Sequence, residues 1–117
     1  MSVLNIRDTT ARNVKFMSEL KMGIYSFDAG AAQATLATTY PPVILCDPGG
    51  GAIDLLLPAE ADSEGLMFFI FNTADAAEAI TVKEDGDTTT IITLDQNQSG
   101  LVVCDGTTWR GFIGGIT

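Results

Sequence analysis

Three consecutive glycines, Gly49-Gly50-Gly51, lie in the stretch CDPGGGAIDLLLPAE (residues 46–60) and are the first candidate for chemistry. Glycine-rich loops bind phosphate when their backbone amides and the N-terminus of a following helix converge on the anion. The Walker form of this loop needs Gly-Lys followed by Ser or Thr, and the dinucleotide form needs G-x-G-x-x-G. Here no lysine follows the glycines, and the next residues, AIDLLLP, end at a proline. The glycines therefore predict a reversal between two strands and no nucleotide site.

Nucleophilic and metal chemistry has little support in the composition. The chain has no histidine, which removes Ser-His-Asp and Cys-His catalysis and most zinc sites. Cys46 and Cys104 do not form a C-x-x-C pair, and each ends an apolar run just before an Asp-containing turn, where a small buried hydrophobe fits. Reduced thiols are expected. We predict that the chain is not an enzyme and uses no cofactor or metal.

The fifteen acidic residues are a second possible source of chemistry. A glycoside hydrolase needs two carboxyl groups that face each other in a cleft, but most of the acids here lie in or beside predicted turns. The run EDGD (residues 84–87) holds only the first ligands of an EF-hand, which also needs spaced oxygen donors and a distal Glu. Turn formation and solubility explain these acids better than catalysis or calcium binding.

The net charge of −9 is unevenly distributed along the chain. Residues 1–30 carry four of the six basic residues and three acidic ones, whereas the rest carries two basic residues against twelve acidic ones, a net −10. An acidic body repels a phosphate backbone, so nucleic acid is not an expected partner. The basic terminus either reaches a neighbouring acidic surface or only solvates the chain end. No apolar run approaches the ~20 residues of a membrane span, and MSVLNIRDTT lacks the apolar core of a signal peptide, so no membrane partner is expected.

The elements that would position these residues are predicted to be strands. Short β-prone runs with a turn signal every ten or so residues indicate an all-β fold, an antiparallel β-sandwich or jelly-roll-like domain over residues 31–117. Two Asp-Gly pairs suit type I′ turns, which need positive φ at both central positions. They predict one hairpin from strands 79–84 and 88–94, and another from strands 100–104 and 108–113. The predicted strand runs are ATLATTY, VILC, AIDLLLP, LMFFIFN, AITVKE, TTTIITL, GLVVC and TWRGFI.

Residues 1–30 show no clean strand alternation and are interpreted as an N-terminal arm. In ARNVKFMSELKM and just beyond it, Val14, Met17, Leu20 and Ile24 recur at spacings of three and four, which is typical of a short helix. A helix of this length is not stable alone. The arm, extended or helical, is therefore expected to become ordered by docking.

The predicted strands are unusually apolar on both faces. A strand with one wet face should alternate, yet residues 66–71 read LMFFIF without a polar position. Exposing the second face to water would be unfavourable and would promote aggregation. We therefore expect a homo-oligomer; the alternative is a monomer whose arm or loops cover that face. Trp109 either packs in the core or lies at the subunit seam. The predicted oligomer interface comprises Leu66, Phe68, Ile70, Val102 and Trp109.

The order of the motifs resembles a known family. An apolar strand runs into a D-x-G-G reversal, then come Leu57-Pro58, an acidic glycine loop before LMFFIFN, and finally CDGTTW (residues 104–109). This order is similar to that of a small trimeric β-domain of tailed-phage virion proteins, with the motifs LP, G…F.I.N and SDGT.W. The resemblance covers residues 34–113; Cys104 stands where the pattern more often has a small polar residue, and the first thirty residues match none of it.

The resemblance implies a structural virion protein. Members of the family occur as capsid decoration (cement) proteins and as tail or tail-fibre modules, and a short chain with an arm looks more like the former. We expect a homotrimer on the capsid exterior that clamps neighbouring subunits of the major capsid protein. A small-ligand or carbohydrate-binding β-sandwich is the other alternative, with Trp109, Tyr25 and Tyr40 as stacking candidates. The residues predicted to contact the capsid are Arg7, Arg12, Lys15, Phe16, Met17 and Lys21.

Overall fold

Strands dominate the described part of the chain, residues 21–116 of this computed structural model, and the all-β prediction is confirmed. One short 3-10 helix, Glu60–Asp62, interrupts the strands. The strands are β1 Ile24–Asp28, β2 Ala34–Thr35, β3 Val43–Asp47, β4 Ile53–Leu56, β5 Met67–Asn72, β6 Ile80–Lys83, β7 Thr90–Leu94, β8 Gln98–Cys104 and β9 Trp109–Ile116.

The strands form two mixed sheets, so the prediction of a purely antiparallel fold is wrong. The five-stranded sheet has the order β1-β3-β5-β8-β9, and the four-stranded sheet has the order β2-β4-β6-β7. Strands β1, β3 and β5 are parallel, as are β2, β4 and β6, whereas β7, β8 and β9 pair antiparallel with their neighbours. From β1 to β6 the chain alternates between the sheets. Each strand of one sheet thus serves as the crossover for the other, which removes the need for the helices that parallel strands usually require.

Both predicted hairpins are present, but their turns differ from type I′. In the β6–β7 loop the positive φ occurs at Asp87 (φ 60°), not at the Asp-Gly pair. In the β8–β9 turn Gly106 has φ 95°, and Asp105 N–H donates to the Thr108 carbonyl at 3.2 Å. Positive φ at only the first central position is the type II′ pattern. The Asp-Gly signal therefore located both hairpins and misassigned both turns.

Alternation along the strands directs one face of each sheet into a shared core. The five-stranded sheet contributes residues such as Ile44 and Phe68, and the four-stranded sheet contributes Leu55 and Val82, each of them fully buried. Strand parity therefore decides which apolar residues of a run are internal and which are external. The other members of the buried cluster are Leu36, Cys46, Ile53, Leu57, Ile70, Ile80, Ile92, Leu94, Val102, Cys104 and Trp109.

The N-terminal boundary of the sheets lies earlier than the sequence indicated. Strand β1 pairs in parallel with β3 over its whole length, so residues 24–28 belong to the five-stranded sheet and not to an arm. The strand expected over residues 34–40 shortens to β2. A turn follows it, in which Tyr40 N–H donates to the Ala37 carbonyl at 3.1 Å. The helix predicted further upstream lies outside the described residues.

Candidate interaction surface

The outer face of the four-stranded sheet is mainly polar. Its outward positions include Asp54, Thr81 and Lys83, while their strand neighbours point into the core. The Lys83 ammonium lies 3.2 Å from a carboxylate oxygen of Asp87 and 3.2 Å from one of Asp54, and these two bonds raise the pKa of Lys83. This face is suited to contact with water.

The outer face of the five-stranded sheet is apolar across three neighbouring strands. Residues Phe69 of β5, Leu101 of β8 and Phe112 of β9 lie in register, and Met67 lies opposite Val103. Phe112 is 61% exposed, Met67 39% and Val103 36%, whereas Phe69 and Leu101 are half-buried. We call this surface the apolar face; it comprises Met67, Phe69, Phe71, Leu101, Val103 and Phe112.

The apolar face is also free of negative charge. Strands β5, β8 and β9 contain no Asp or Glu, although the chain has fifteen acidic residues. The only charged side chain on these strands is Arg110, whose Nε lies 3.2 Å from Oδ2 of Asp105 in the adjoining turn. The face therefore lacks the carboxylates that would oppose contact with another acidic molecule.

A depression of about 140 Å³ opens on the apolar face. Its position follows from small residues, because Gly114 and Ser99 leave space beside the aromatic rings. A bulge between Ser99 and Gly100 shifts the register of β8 and β9 at this point. Gly100 itself is buried, and a Cβ there would lie 2.8 Å from the Phe112 carbonyl oxygen. The depression is lined by Phe69, Phe71, Ser99, Gly100, Leu101, Phe112 and Gly114.

Four of the residues predicted for an oligomer interface lie in the core instead. Phe68, Ile70 and Val102 are fully buried, and Trp109 is 3% exposed. Leu66 is half-buried and packs against the same core. The run LMFFIF is apolar at both parities, so the sequence alone does not reveal which residues point inward. The outward set of the same strands, centred on Phe69 and Leu101, was missed for this reason.

The position of Trp109 decides between its alternative roles. Its indole ring stacks against Phe68 with centroids 6.2 Å apart, and its Nε1–H donates to the Pro58 carbonyl at 2.9 Å. Trp109 is therefore a core residue, which also removes it as a sugar-stacking platform. Tyr25 and Tyr40 are half-buried, with ring centroids 4.4 Å apart, so each ring packs on the other. The side-chain hydrogen bond between Tyr25 and Tyr40 raises the pKa of Tyr25.

Two polar motif residues hold loops in place. The buried Asn72 side chain donates to the carbonyls of Glu78 (2.8 Å) and Leu94 (3.0 Å), and its Oδ1 accepts from the Ala74 amide. Asp105 Oδ1 accepts hydrogen bonds from the backbone amides of Thr107 (2.9 Å) and Thr108 (2.8 Å). These backbone bonds, with Arg110, lower the pKa of Asp105. The two motif positions therefore have a structural explanation.

The glycine triplet connects β3 to β4, so the predicted reversal between strands is confirmed. Because β3 and β4 belong to different sheets, the chain crosses the core edge here. Gly49 has φ 82°, and a side chain there would collide with the Asp28 carboxylate and the Gly30 backbone. The amide of Gly49 donates to Asp47 Oδ1 at 3.0 Å. The Gly49 N–H is thus satisfied by a side chain of the same connection.

The reactive groups of the described region are mostly occupied or buried. Glu60, Glu84 and Asp85 bring carboxylate oxygens within 4.8 Å of one another, but the Glu84 carboxylate already accepts four hydrogen bonds from its own loop. Both cysteines are buried free thiols, and burial, with Asp47 and Asp28 nearby, raises the pKa of Cys46 to about 12. The Cys46 thiol therefore stays protonated and unreactive at neutral pH.

The predicted capsid-binding residues fall almost entirely outside this region. Lys21 is exposed, and the chain joins the body beside Pro41, where the Val43 amide donates to the Gly23 carbonyl at 3.4 Å. Residues 21–23 therefore lead into β1, an edge strand. The predicted contacts that lie outside the described residues are Arg7, Arg12, Lys15, Phe16 and Met17.

Similarity to known proteins identifies no family for this chain. The chain matches no protein-family model, no curated protein and no solved structure. Among residues 21–116, no helix has both the length and the apolar composition needed to span a bilayer.

Proposed function

We propose that this protein is a structural component of a tailed-phage virion, namely a capsid decoration protein. In this role it forms a homotrimer on the capsid exterior and clamps neighbouring subunits of the major capsid protein. Its two sheets act as a β-sandwich, a rigid body whose apolar face meets other copies. The observation that carries the proposal is this face, an uncharged apolar surface on an otherwise acidic chain.

Energetics favour covering the apolar face with protein. Burying apolar surface contributes about 25 cal/mol per Å², and Phe112 and Met67 retain much of theirs in the single chain. The remainder of the body is strongly acidic, since residues 21–117 carry thirteen acidic residues against three basic ones. Two copies that approach through other surfaces therefore repel each other. The apolar face is the surface through which self-association is least opposed.

The motif residues behind the resemblance have structural roles in this fold. Pro58 of the LP motif accepts the hydrogen bond of Trp109 in the closing motif, and Asn72 ties the end of β5 to two loops. Gly106 supplies the positive φ that the final hairpin turn requires. Each of these motif residues therefore contributes a specific contact or backbone conformation. The resemblance also supplies the number of subunits in the proposal.

The arm supplies the proposed capsid contact. Residues 1–23, which precede β1, carry four basic and two acidic residues, opposite in net sign to the body. Three arms on one trimer convert weak single contacts into slow dissociation, because the second and third arms bind at high effective concentration. Arg7, Arg12 and Lys15 provide the charge for an acidic capsid surface, and Phe16 and Met17 provide apolar anchors.

The location of the protein in the virion tests this proposal. Particles of the phage that encodes the chain are separated into heads and tails, and the protein is detected immunologically in each fraction. We expect it on heads, at the capsid exterior, where it is accessible to antibody. Recovery with tails would replace the proposal by the tail-component alternative, and absence from both fractions would refute a virion role.

The arm is tested by binding to heads stripped of the protein. The variant Arg7→Gln/Arg12→Gln is expected to bind at least about tenfold more weakly, because each trimer loses six charges from its contacts. The control Thr90→Glu/Thr93→Glu changes the net charge by the same amount on the polar sheet face and should bind normally. Equal loss in both variants would point to overall charge and not to the arm.

A further inference from the structure

We propose that the phenyl ring of Phe112 on one copy of the chain inserts into the depression on the apolar face of a second copy. This inference rests on the self-association in the proposed function and names the contact that produces it. The contact lies on the outer face of β5, β8 and β9, and not at the core residues that sequence reasoning selected.

The size of the depression matches the ring. Its volume is about 140 Å³, and an apolar cavity of roughly 150 Å³ is known to bind benzene. The rings of Phe69 and Phe71 form part of its lining, and Ser99 and Gly114 keep it open. The depression therefore suits an aromatic ring and offers few polar groups to a hydrophilic ligand.

The same face carries the matching protrusion. Phe112 is 61% exposed, follows Gly111 and lies at the rim of the depression. Every copy thus presents one projecting phenyl ring and one ring-sized depression on a single surface. Such a surface is self-complementary, and a closed ring of copies satisfies each protrusion with a neighbouring depression. Reciprocal insertion in a dimer and cyclic insertion in a trimer both use these two features.

The charge distribution directs a second copy to the apolar face. Both copies carry a net charge of −9, so their approach is least opposed through a surface that lacks carboxylates, and β5, β8 and β9 contain none. Arg110, at the border of the face, pairs with Asp105 of its own chain, so the face presents no unpaired charge to the second copy. The apolar face thus favours an identical apolar face.

Self-association of full-length variants tests the insertion, measured by size-exclusion chromatography with light scattering over a dilution series. Phe112→Ser removes the protrusion together with one lining residue of the depression, and Gly114→Leu fills the depression. A Cβ at Gly114 meets only Ser99, at 3.7 Å or more, which is an ordinary van der Waals contact. We expect both variants to weaken self-association at least about tenfold. Gly114→Leu is the sharper test, because it adds apolar surface and yet should reduce association.

Ile113→Ser is the matched control. Ile113 is the next residue of β9 and is 46% exposed, but it does not line the depression. Its variant should associate like the original chain, and all variants should keep the original circular dichroism spectrum.

The other outcomes each overturn the inference. Equal weakening by Phe112→Ser and Ile113→Ser would indicate general stickiness of β9. Normal association of Gly114→Leu would show that the ring does not enter the depression. A monomeric original chain would exclude a second copy as the occupant and leave the face to residues 1–20 or to another protein. Head association of the original chain is measured independently, so failure of the insertion remains distinguishable from failure of the proposed function.

Discussion

The Nε1–H of Trp109 donates a hydrogen bond of 2.9 Å to the backbone carbonyl of Pro58, fifty-one residues earlier in the chain. The bond connects the first residue of β9 to the segment that follows β4 and so joins the two sheets at one end of the core. The indole also stacks on Phe68. One side chain thereby closes the core and satisfies a buried backbone acceptor.

Substitutions at Trp109 should separate these two contributions. Trp109→Ala is expected to lower the free energy of unfolding by about 3–5 kcal/mol, because it leaves a large cavity. Trp109→Phe retains a ring beside Phe68 but leaves the Pro58 carbonyl without its partner, and should cost about 1–3 kcal/mol. Urea unfolding at a fixed protein concentration measures both values, since self-association would otherwise shift them. Equal losses in the two variants would contradict a separate contribution of the ring, and an unchanged stability of Trp109→Phe would contradict one of the hydrogen bond.

Asn72 should tolerate substitution poorly despite being polar. Its amide nitrogen donates to two carbonyls, of Glu78 and Leu94, and the residue is 2% exposed. Asn72→Ala leaves both acceptors unpaired, at about 1–3 kcal/mol each where water does not enter. Asn72→Asp should be worse at neutral pH, since it turns a carboxylate oxygen towards those carbonyls. Urea unfolding of the two variants checks the order, and an Asp variant as stable as the Ala variant would contradict it.

The sequence located strands well because short apolar runs and turn residues delimit them locally. It predicted the ranges of β3 to β9 to within a few residues and both hairpins. It missed β1, although IYSFD alternates and turns Tyr25 and Phe27 towards the core, because an apparent helical spacing ended at Ile24. Strand direction was misjudged because the rule that parallel strands need helical crossovers does not apply when the crossover is a strand of the other sheet.

The sequence predicted that an apolar interaction surface exists, but not which residues form it. The sequence indicated that β5 and β8 have two apolar faces, but assigned Phe68 and Val102 to the outside. Which residues of a strand point inward depends on which of its faces meets the opposite sheet. This is a long-range property, and a run without polar residues gives no sign of it. Phe112 lies in the predicted strand TWRGFI, but it was outside the predicted interface set. The depression arises from the bulge at Ser99 and Gly100, for which no local signal was identified.

Gly49 should be the most restricted residue of the glycine triplet. Gly49→Ala introduces a side chain at φ 82° and against the backbone of Gly30, whose nitrogen would lie 2.7 Å from the new Cβ. We expect it to lower the free energy of unfolding by at least about 2 kcal/mol. Gly51→Ala is the matched control: its Cβ would meet only Ala31, at 3.6 Å, and the change should stay within about 0.5 kcal/mol. Thermal unfolding of both variants tests this, and similar melting temperatures would contradict it.

Glu84 should make stability depend on pH in the acidic range. Its carboxylate accepts hydrogen bonds from the amides of Thr88, Gly86 and Thr89 and from the Thr88 hydroxyl, and these bonds hold its pKa at about 2, against an ordinary value of 4.5. A carboxyl group whose pKa is lower in the folded chain binds its proton more tightly in the unfolded chain. Its stabilising contribution is therefore complete above pH 4.5 and is lost as the pH falls towards 2.

The variant Glu84→Gln tests this dependence. At neutral pH it should melt at a lower temperature than the original chain, because its amide group turns N–H donors towards backbone N–H donors. The difference in melting temperature should shrink between pH 4.5 and about 2, where the original chain loses its carboxylate as well. Asp85→Asn removes the same charge from the neighbouring position of the loop and serves as the control, since the bonds to Gly86, Thr88 and Thr89 remain. A difference that stayed constant with pH, or that appeared equally in the control, would show that the loop is not held by the ionised form of Glu84.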